Sequence, residues 1–390
     1  MRTTTRRQFI ADLGAVSIGL PLAAGLSLSG GPVGQLIAGN ALASGEEGAA
    51  SRPFYREAKY YEKLAEGRVR CLICPRKCVV GAGERGYCDV RENVGGKYYT
   101  VVYGRVCTYN VDPIEKKPFF HFLPGSTAFS LATVGCNLDC KFCQNWEISQ
   151  EKPENIPATD MPPAKVVEAA ERQKAPVVAY TYTEPTVYYE FMLDTARASR
   201  ARGLRNVMVS GGYINIEPLL ALVREMDAIK IDLKGFTPKF YADTCNGTLP
   251  PVLDAIAAVR KAGTWLEIVC LLIPTLNDGE REIDAMAKWL VGNVGADVPV
   301  HFTRFYPTYK LANLPPTPVA TVERARQIAM ARGLKYVYVG NVPARNPGES
   351  TYCGKCGDEA IERAGFTVLA NRLHEGRCLR CNAPIPGVWI

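Results

Sequence analysis

Cys136, Cys140 and Cys143 stand within eight residues, in VGCNLDCKFCQNW (134–146), and no fourth cysteine follows nearby. A closed tetrahedral metal site uses four ligands, so a set of three leaves one position open. Three chemistries fit that count: an open zinc site, a disulfide with a spare thiol, or an iron–sulfur cubane held at three corners. Catalytic zinc generally recruits His or carboxylate, and the chain has only His121, His301 and His374. Cysteines at i, i+4 and i+7 on a loop can wrap a cubane and hold three of its irons, which leaves the fourth iron free to bind something else.

Two further groups reach four members among the 14 cysteines. Cys353, Cys356, Cys378 and Cys381 form two CxxC turns around 21 residues, the spacing of a four-cysteine zinc ribbon. A disulfide pair is the competing reading, and CxxC partners within one turn would crosslink little of the chain. Cys71, Cys74, Cys78 and Cys88 have the number for structural zinc or an auxiliary iron–sulfur cluster, although they lack the ferredoxin spacing, and reduced or disulfide-linked cysteines are the competing reading. Cys107, Cys245 and Cys270 stand apart.

The elements that would position these groups alternate strand and helix. Apolar runs predict strands at 129–134, 177–182, 205–210, 228–233, 265–273, 298–305 and 335–340. Helical spacing fills 164–173, 187–201, 216–225, 250–262, 280–292 and 319–332. Such a chain predicts an α/β fold with a parallel sheet and outer helices, a full or partial barrel. The three-cysteine loop then follows the first strand at its C-terminal end, where such sheets place active sites. The expected organisation is a leader at 1–43, a linker at 44–69, a cysteine-rich segment at 70–126, the barrel at 127–345 and a ribbon-like module at 346–390.

A net charge of +7 is modest and scattered, with no basic stripe interleaved with aromatics, so a nucleic-acid partner is not indicated. The leader pairs Arg6 and Arg7 before Gln-Phe-Ile, continues in a Gly- and Ala-rich apolar run, and offers cleavage after Ala43. That outline predicts export by the twin-arginine route, to a periplasmic or membrane-associated location. A retained anchor and a cytoplasmic protein are the competing readings.

CNLDCKFC (136–143), with an aromatic before the last cysteine, resembles the signature of radical S-adenosylmethionine (SAM) enzymes. The resemblance implies a partial (βα)6 barrel. It also implies that three thiolates hold a [4Fe-4S] cluster whose open iron is chelated by the amino and carboxylate groups of SAM. TYTEPT (181–186) stands where the family usually has GGEP; it departs from the glycines, and Glu184 is the carried-over partner of the SAM ammonium. SGGYIN (210–215) brings Ser210 to a strand end, and Asn145 flanks the cluster with Trp146, the latter read as a packing lid, with an electron relay the alternative. KIDLKG (230–235) resembles the DLK of pyruvate formate-lyase activating enzymes, so Asp232 and Lys234 are implied SAM contacts, a surface ion pair being the alternative. HFTRFYP (301–307) puts His301 and Arg304 near the barrel mouth, unless His301 is simply packed or hydrogen-bonded.

More narrowly, the chain resembles the radical SAM member of the AmmeMemoRadiSam system, through CLICPRKC, DPIEKKPFFHFLPGS, TVGCNLDCKFCQNWEISQ, TYTEPT and CLRCNAPIPGVW. That resemblance implies Memo-like and AMMECR-type partners and a low-potential electron donor, and names no substrate. Three functions remain in competition. The first is reductive cleavage of SAM to a 5′-deoxyadenosyl radical that takes hydrogen from a substrate. The second is activation of a glycyl-radical enzyme. The third is metal binding or electron transfer without radical chemistry, in an exported protein.

Overall fold

The structure, a computed structural model, describes residues 49, 51–343 and 345–389. The expected export signal and its cleavage point at Ala43 lie outside the described residues. Ser44–Ile390 is one compact unit.

Its centre is an eight-stranded sheet. The strands are β1 (Thr108–Pro113), β2 (Thr127–Ala132), β3 (Val177–Tyr180), β4 (Arg205–Ser210), β5 (Ala228–Asp232), β6 (Trp265–Leu272), β7 (Val300–Arg304) and β8 (Val337–Gly340). They lie side by side in chain order from β8 to β1. β2 to β8 are parallel, and β1 joins β2 antiparallel at one edge. Among the described residues β8 does not pair with β1, so the sheet curls without closing. Between the seven parallel strands run α1 (Pro163–Arg172), α2 (Tyr189–Ala201), α3 (Ile216–Val223), α4 (Pro238–Cys245), α5 (Pro250–Ala262), α6 (Glu280–Asn293) and α7 (Val319–Ala331). Six strand–helix crossovers therefore make a partial (βα)6 barrel, in the order the apolar periodicity predicts. α4 is the helix that the sequence did not announce: eight residues started by the Thr237 side chain, which accepts from Phe240 N–H.

The strands bury both faces, and their period of two sorts the side chains. Val178, Tyr180, Met208, Ile229 and Ile231 face the helices. Val177, Ala179, Val207 and Ala228 face inward onto Ile114, Phe119 and Phe122, which come from the segment between β1 and β2. The segment DPIEKKPFFHFLPGS thus plugs the bottom of the barrel, at the N-terminal ends of its strands. Val388 joins the plug, with Leu123 N–H donating to Val388 O and Val388 N–H to His121 O, both at 2.8 Å.

Two sequence-based boundaries shift. The stretch 44–69, expected as a linker, contributes strands at Arg56–Glu57 and Tyr61–Lys63, which pair with Lys97–Thr100 and Val69–Cys71. β1 belongs to the barrel sheet, although it lies within the expected cysteine-rich segment. Local polarity hid the first, because short edge strands carry little apolar signal.

The C-terminal module is a hairpin, Glu359–Ala364 with Thr367–Asn371, docked under the barrel. A buried chain of hydrogen bonds joins the two. Arg363 donates to Thr351 Oγ1, Thr351 bonds the Tyr338 hydroxyl at 2.9 Å, Tyr338 reaches His121 Nε2, and His121 Nδ1 meets Pro386 O at 2.6 Å. Directed this way, the chain requires a neutral His121 that donates at Nδ1 and accepts at Nε2.

Candidate active site

The loop after β2 turns sharply at Gly135, whose φ of 106° suits a residue without Cβ. A Cβ there would lie 2.8 Å from Val90 Cγ1 and 3.0 Å from Cys88 O. Cys136, Cys140 and Cys143 follow, with Cys140 buried and the other two half-buried. Leu138 N–H donates to Cys136 Sγ at 3.4 Å. Burial pushes the Cys136 thiol well above its usual range, and the Glu184 carboxylate adds to the shift. Among the described residues these three sulfurs are not gathered within 4.8 Å of one another, so they are not drawn in as around a single ion. A cubane spreads its thiolates over separate corners, and the loop fits that group.

Glu184 ties the next two strand ends to this loop. Its Oε1 accepts from Thr186 N–H at 3.0 Å, Thr186 Oγ1 at 2.7 Å and Ser210 Oγ at 2.7 Å. Its Oε2 accepts from Gly211 N–H at 2.8 Å. A Cβ on Gly211 would meet Leu138 Cδ1 at 3.3 Å, Glu184 Oε2 at 3.4 Å and Lys234 Cε at 3.9 Å. The cysteine loop, TYTEPT, SGG and KIDLK thus converge on one backbone position. Asn145 supplies another tie, donating from Nδ2 to Tyr182 O at 2.8 Å.

At the end of β5, Asp232 accepts from Lys234 Nζ at 2.8 Å and also from Lys230 Nζ. Burial opposes the Asp232 charge, but the two lysines outweigh it and hold the carboxyl at about 2. Lys230 was not singled out in the sequence, yet it is 4% exposed and completes a Lys–Asp–Lys cluster. Alternation could have flagged it, because i and i+2 on a strand share a face.

His301 goes elsewhere. Its Nε2 lies 2.7 Å from Glu267 Oε2, and its ring stacks with Tyr338 and meets Phe120 edge-on, so it belongs to the barrel plug. Glu267 also accepts from Phe120 N–H, His121 N–H and Trp265 Nε1. Burial lowers the His301 pKa against the pull of Glu267. Arg304 is likewise engaged, donating from Nε to Thr317 O at 2.6 Å. One of the three cysteines that stand apart in the sequence, Cys245, lies at the end of α4. Its carbonyl accepts from Asp139 N–H at 3.0 Å, and the Cys245 thiol is the first cause that pushes the Cys140 thiol well above its usual range, with burial second.

Trp146 ties the cysteine loop to the segment after β7. Its indole stacks on Tyr309 with ring centres 5.1 Å apart, while Lys310 Nζ pairs with Asp139 at 2.9 Å and Lys310 N–H donates to Lys141 O at 3.0 Å. The loop after β7 is thereby fastened over the cysteine loop.

The C-terminal four cysteines meet. Cys353 and Cys381 sulfurs are 3.6 Å apart, Cys356 and Cys378 sulfurs 3.8 Å, and all four lie within 4.8 Å of one another. A tetrahedron with metal–sulfur bonds of about 2.3 Å has edges of about 3.8 Å, so this set has the spacing of a single metal ion. Cys71, Cys74, Cys78 and Cys88 instead line one cavity beside the three-cysteine loop.

The sequence profile of the radical SAM superfamily matches residues 130–289, from β2 into α6. An uncharacterized protein of Methanocaldococcus jannaschii is 48% identical over 332 residues, which cover 85% of this chain and 98% of that protein. The benzylsuccinate synthase activating enzyme of Thauera aromatica is 23% identical over 180 residues, 42% of this chain and 54% of that enzyme. A domain of a pyruvate-formate lyase-activating enzyme from Bacteroides vulgatus superposes with a TM-score of 0.38 at 19% identity, covering 42% of this chain and 98% of that domain. Together with a CxxxCxxC loop at the end of the first parallel strand, the profile match and the near-full-length relative show that the chain belongs to the radical SAM superfamily.

Proposed function

We propose that the chain is an enzyme that cleaves SAM reductively and uses the resulting radical to take hydrogen from a substrate. Bound to Cys136, Cys140 and Cys143, a [4Fe-4S] cluster would supply one electron to SAM, giving methionine and a 5′-deoxyadenosyl radical. The observation that carries this reading is the convergence at Gly211 of the cysteine loop, Glu184 and Lys234 at the C-terminal ends of neighbouring strands. Glu184 holds a buried carboxylate where the SAM ammonium is expected, with Ser210 and Gly211 fixing its direction. Asp232 and Lys234 present one charge of each sign beside it. In this proposal the stacked Trp146 and Tyr309 form a lid that keeps water from the loop, where it would weaken each of these electrostatic contacts. Anaerobically reconstituted protein, incubated with SAM and dithionite, is expected to form 5′-deoxyadenosine. Its absence with the cluster loaded would return the chain to the metal-binding or electron-transfer reading.

A glycyl-radical activase is the second reading, favoured by the activating enzyme of Thauera aromatica among the relatives. A glycyl radical signal on a candidate partner enzyme, seen by electron paramagnetic resonance (EPR), would select it. The C-terminal four cysteines are proposed to hold structural zinc. Memo-like and AMMECR-type partners, a low-potential electron donor and twin-arginine export complete the proposal; cell fractionation that finds the full-length chain wholly in the cytoplasm would overturn the last.

A further inference from the structure

Cys71 ends a short strand, Cys74 and Cys78 lie on the turn after it, and Cys88 comes back from the next loop, so all four line one small cavity. Their sulfurs differ from the C-terminal set in one decisive way. Among the described residues only Cys353, Cys356, Cys378 and Cys381 are gathered within 4.8 Å of one another, the spacing of a single ion. The N-terminal four surround a space.

The cavity is also prepared for negative charge. Tyr87 N–H donates to Cys78 Sγ at 3.5 Å, as Leu138 N–H does to Cys136 Sγ. Arg91 lines the cavity at 2% exposure. Two of its nitrogens are bound to Glu190, at 2.9 and 2.8 Å, while its buried Nε has no partner among the described residues. A buried N–H left without an acceptor costs free energy unless something fills that role, and a cluster's sulfur would. Part of the wall comes from the proposed SAM site: Asn137 belongs to the three-cysteine loop and Thr186 to TYTEPT. Gly135 packs on Cys88 O so closely that a Cβ there would stand 3.0 Å from it.

We propose that Cys71, Cys74, Cys78 and Cys88 hold a second, four-thiolate [4Fe-4S] cluster, seated against the loop that carries Cys136, Cys140 and Cys143. The spacing and the unpartnered Arg91 Nε favour a cluster over zinc, and four thiolates leave no iron open for SAM. Its position makes it a one-electron centre next to the one at which SAM is bound. Its occupancy does not depend on the proposed SAM chemistry; only the proximity of two clusters does.

The test is anaerobic reconstitution of the full chain with iron and sulfide, followed by counting of iron, sulfide and zinc. Wild type is expected to carry about eight irons, and a variant with Cys136→Ala, Cys140→Ala and Cys143→Ala about four. A Cys74→Ala, Cys78→Ala variant is also expected to keep about four, now in the SAM loop. Reduced wild type should show an EPR spectrum broadened by spin–spin interaction, and each variant the sharper spectrum of an isolated cluster. Near-ultraviolet circular dichroism of each variant separates loss of a cluster from loss of fold. A folded triple variant without iron, or with zinc in its place, overturns the proposal. A triple variant that keeps all the wild-type iron leaves this cluster standing and removes the SAM-loop cluster instead, so the two failures are distinguishable.

Discussion

At the scale of residues, the site is a set of charges whose partners are all accounted for. Glu184 receives four donors from two loops. Glu184→Gln would keep one acceptor oxygen and turn an amide N–H₂ against the Gly211 or Ser210 donor. Hydrogen bonds to a charged group contribute about 1.5–3 kcal/mol, so SAM affinity measured by equilibrium dialysis is expected to fall about 10- to 100-fold. Asp232 stands between two lysines, of which Lys230 is buried. Asp232→Asn leaves that ammonium without its counter-charge, and breaking a buried pair costs about 3–5 kcal/mol. The urea midpoint should drop accordingly; an unchanged midpoint would assign the pair to the solvated surface.

At the scale of elements, loops joined to rigid strand ends do the positioning. Gly135 takes a left-handed φ in a space without room for a Cβ. Gly135→Ala would have to move either Val90 or the backbone at Cys88, with strain of about 1–2 kcal/mol from the left-handed backbone alone. Lower iron incorporation is expected, read as absorbance near 400 nm per protein, with helix content by circular dichroism unchanged. The lid is held by a stacked pair, Trp146 on Tyr309. Such a pair contributes about 1 kcal/mol, so Tyr309→Ala should open the loop about fivefold more often and bleach the cluster correspondingly faster in air. Equal bleaching rates would show that Lys310 and Asp139 hold the lid without it.

At the scale of the whole molecule, the barrel bottom and the C-terminal module are one buried network. His121 lies at its centre, and burial lowers its pKa from 6.5 to about 4, with Glu267 opposing the shift. The folded state therefore excludes a proton that the unfolded chain takes up below 6.5. This contribution to stability is complete above pH 6.5, declines as the pH falls, and is exhausted near pH 4, for a total of roughly 3 kcal/mol. Thermal melts across that window should show a falling midpoint, and a His121→Gln variant, which retains a donor and an acceptor, a shallower fall. A wild-type profile as shallow as that of the variant would exclude His121 as the source.

The order of strands and helices was legible because burial on both faces makes apolar runs, and runs are local. α4 and the strands at Arg56–Glu57 and Tyr61–Lys63 were not, because they are too short to show a period. Among site residues, Glu184, Ser210, Asp232 and Lys234 were found at strand ends and do converge. His301 was expected at the mouth, yet it pairs with Glu267, 34 positions away. Nothing near His301 in the chain announces that partner.

By itself, then, the sequence determined the count and spacing of cysteines, the parallel αβ order and the location of the cysteine loop. Each of these is a property of neighbours along the chain: ligand spacing, alternation and turn residues. Only the tertiary structure decided which four cysteines close to single-ion spacing and which four surround a cavity. It also decided that Cys245 meets Cys140 and that the C-terminal module shares a hydrogen-bonded core with the barrel. Those are distances between residues far apart in sequence, set by how strands register and pack, and no local pattern encodes them.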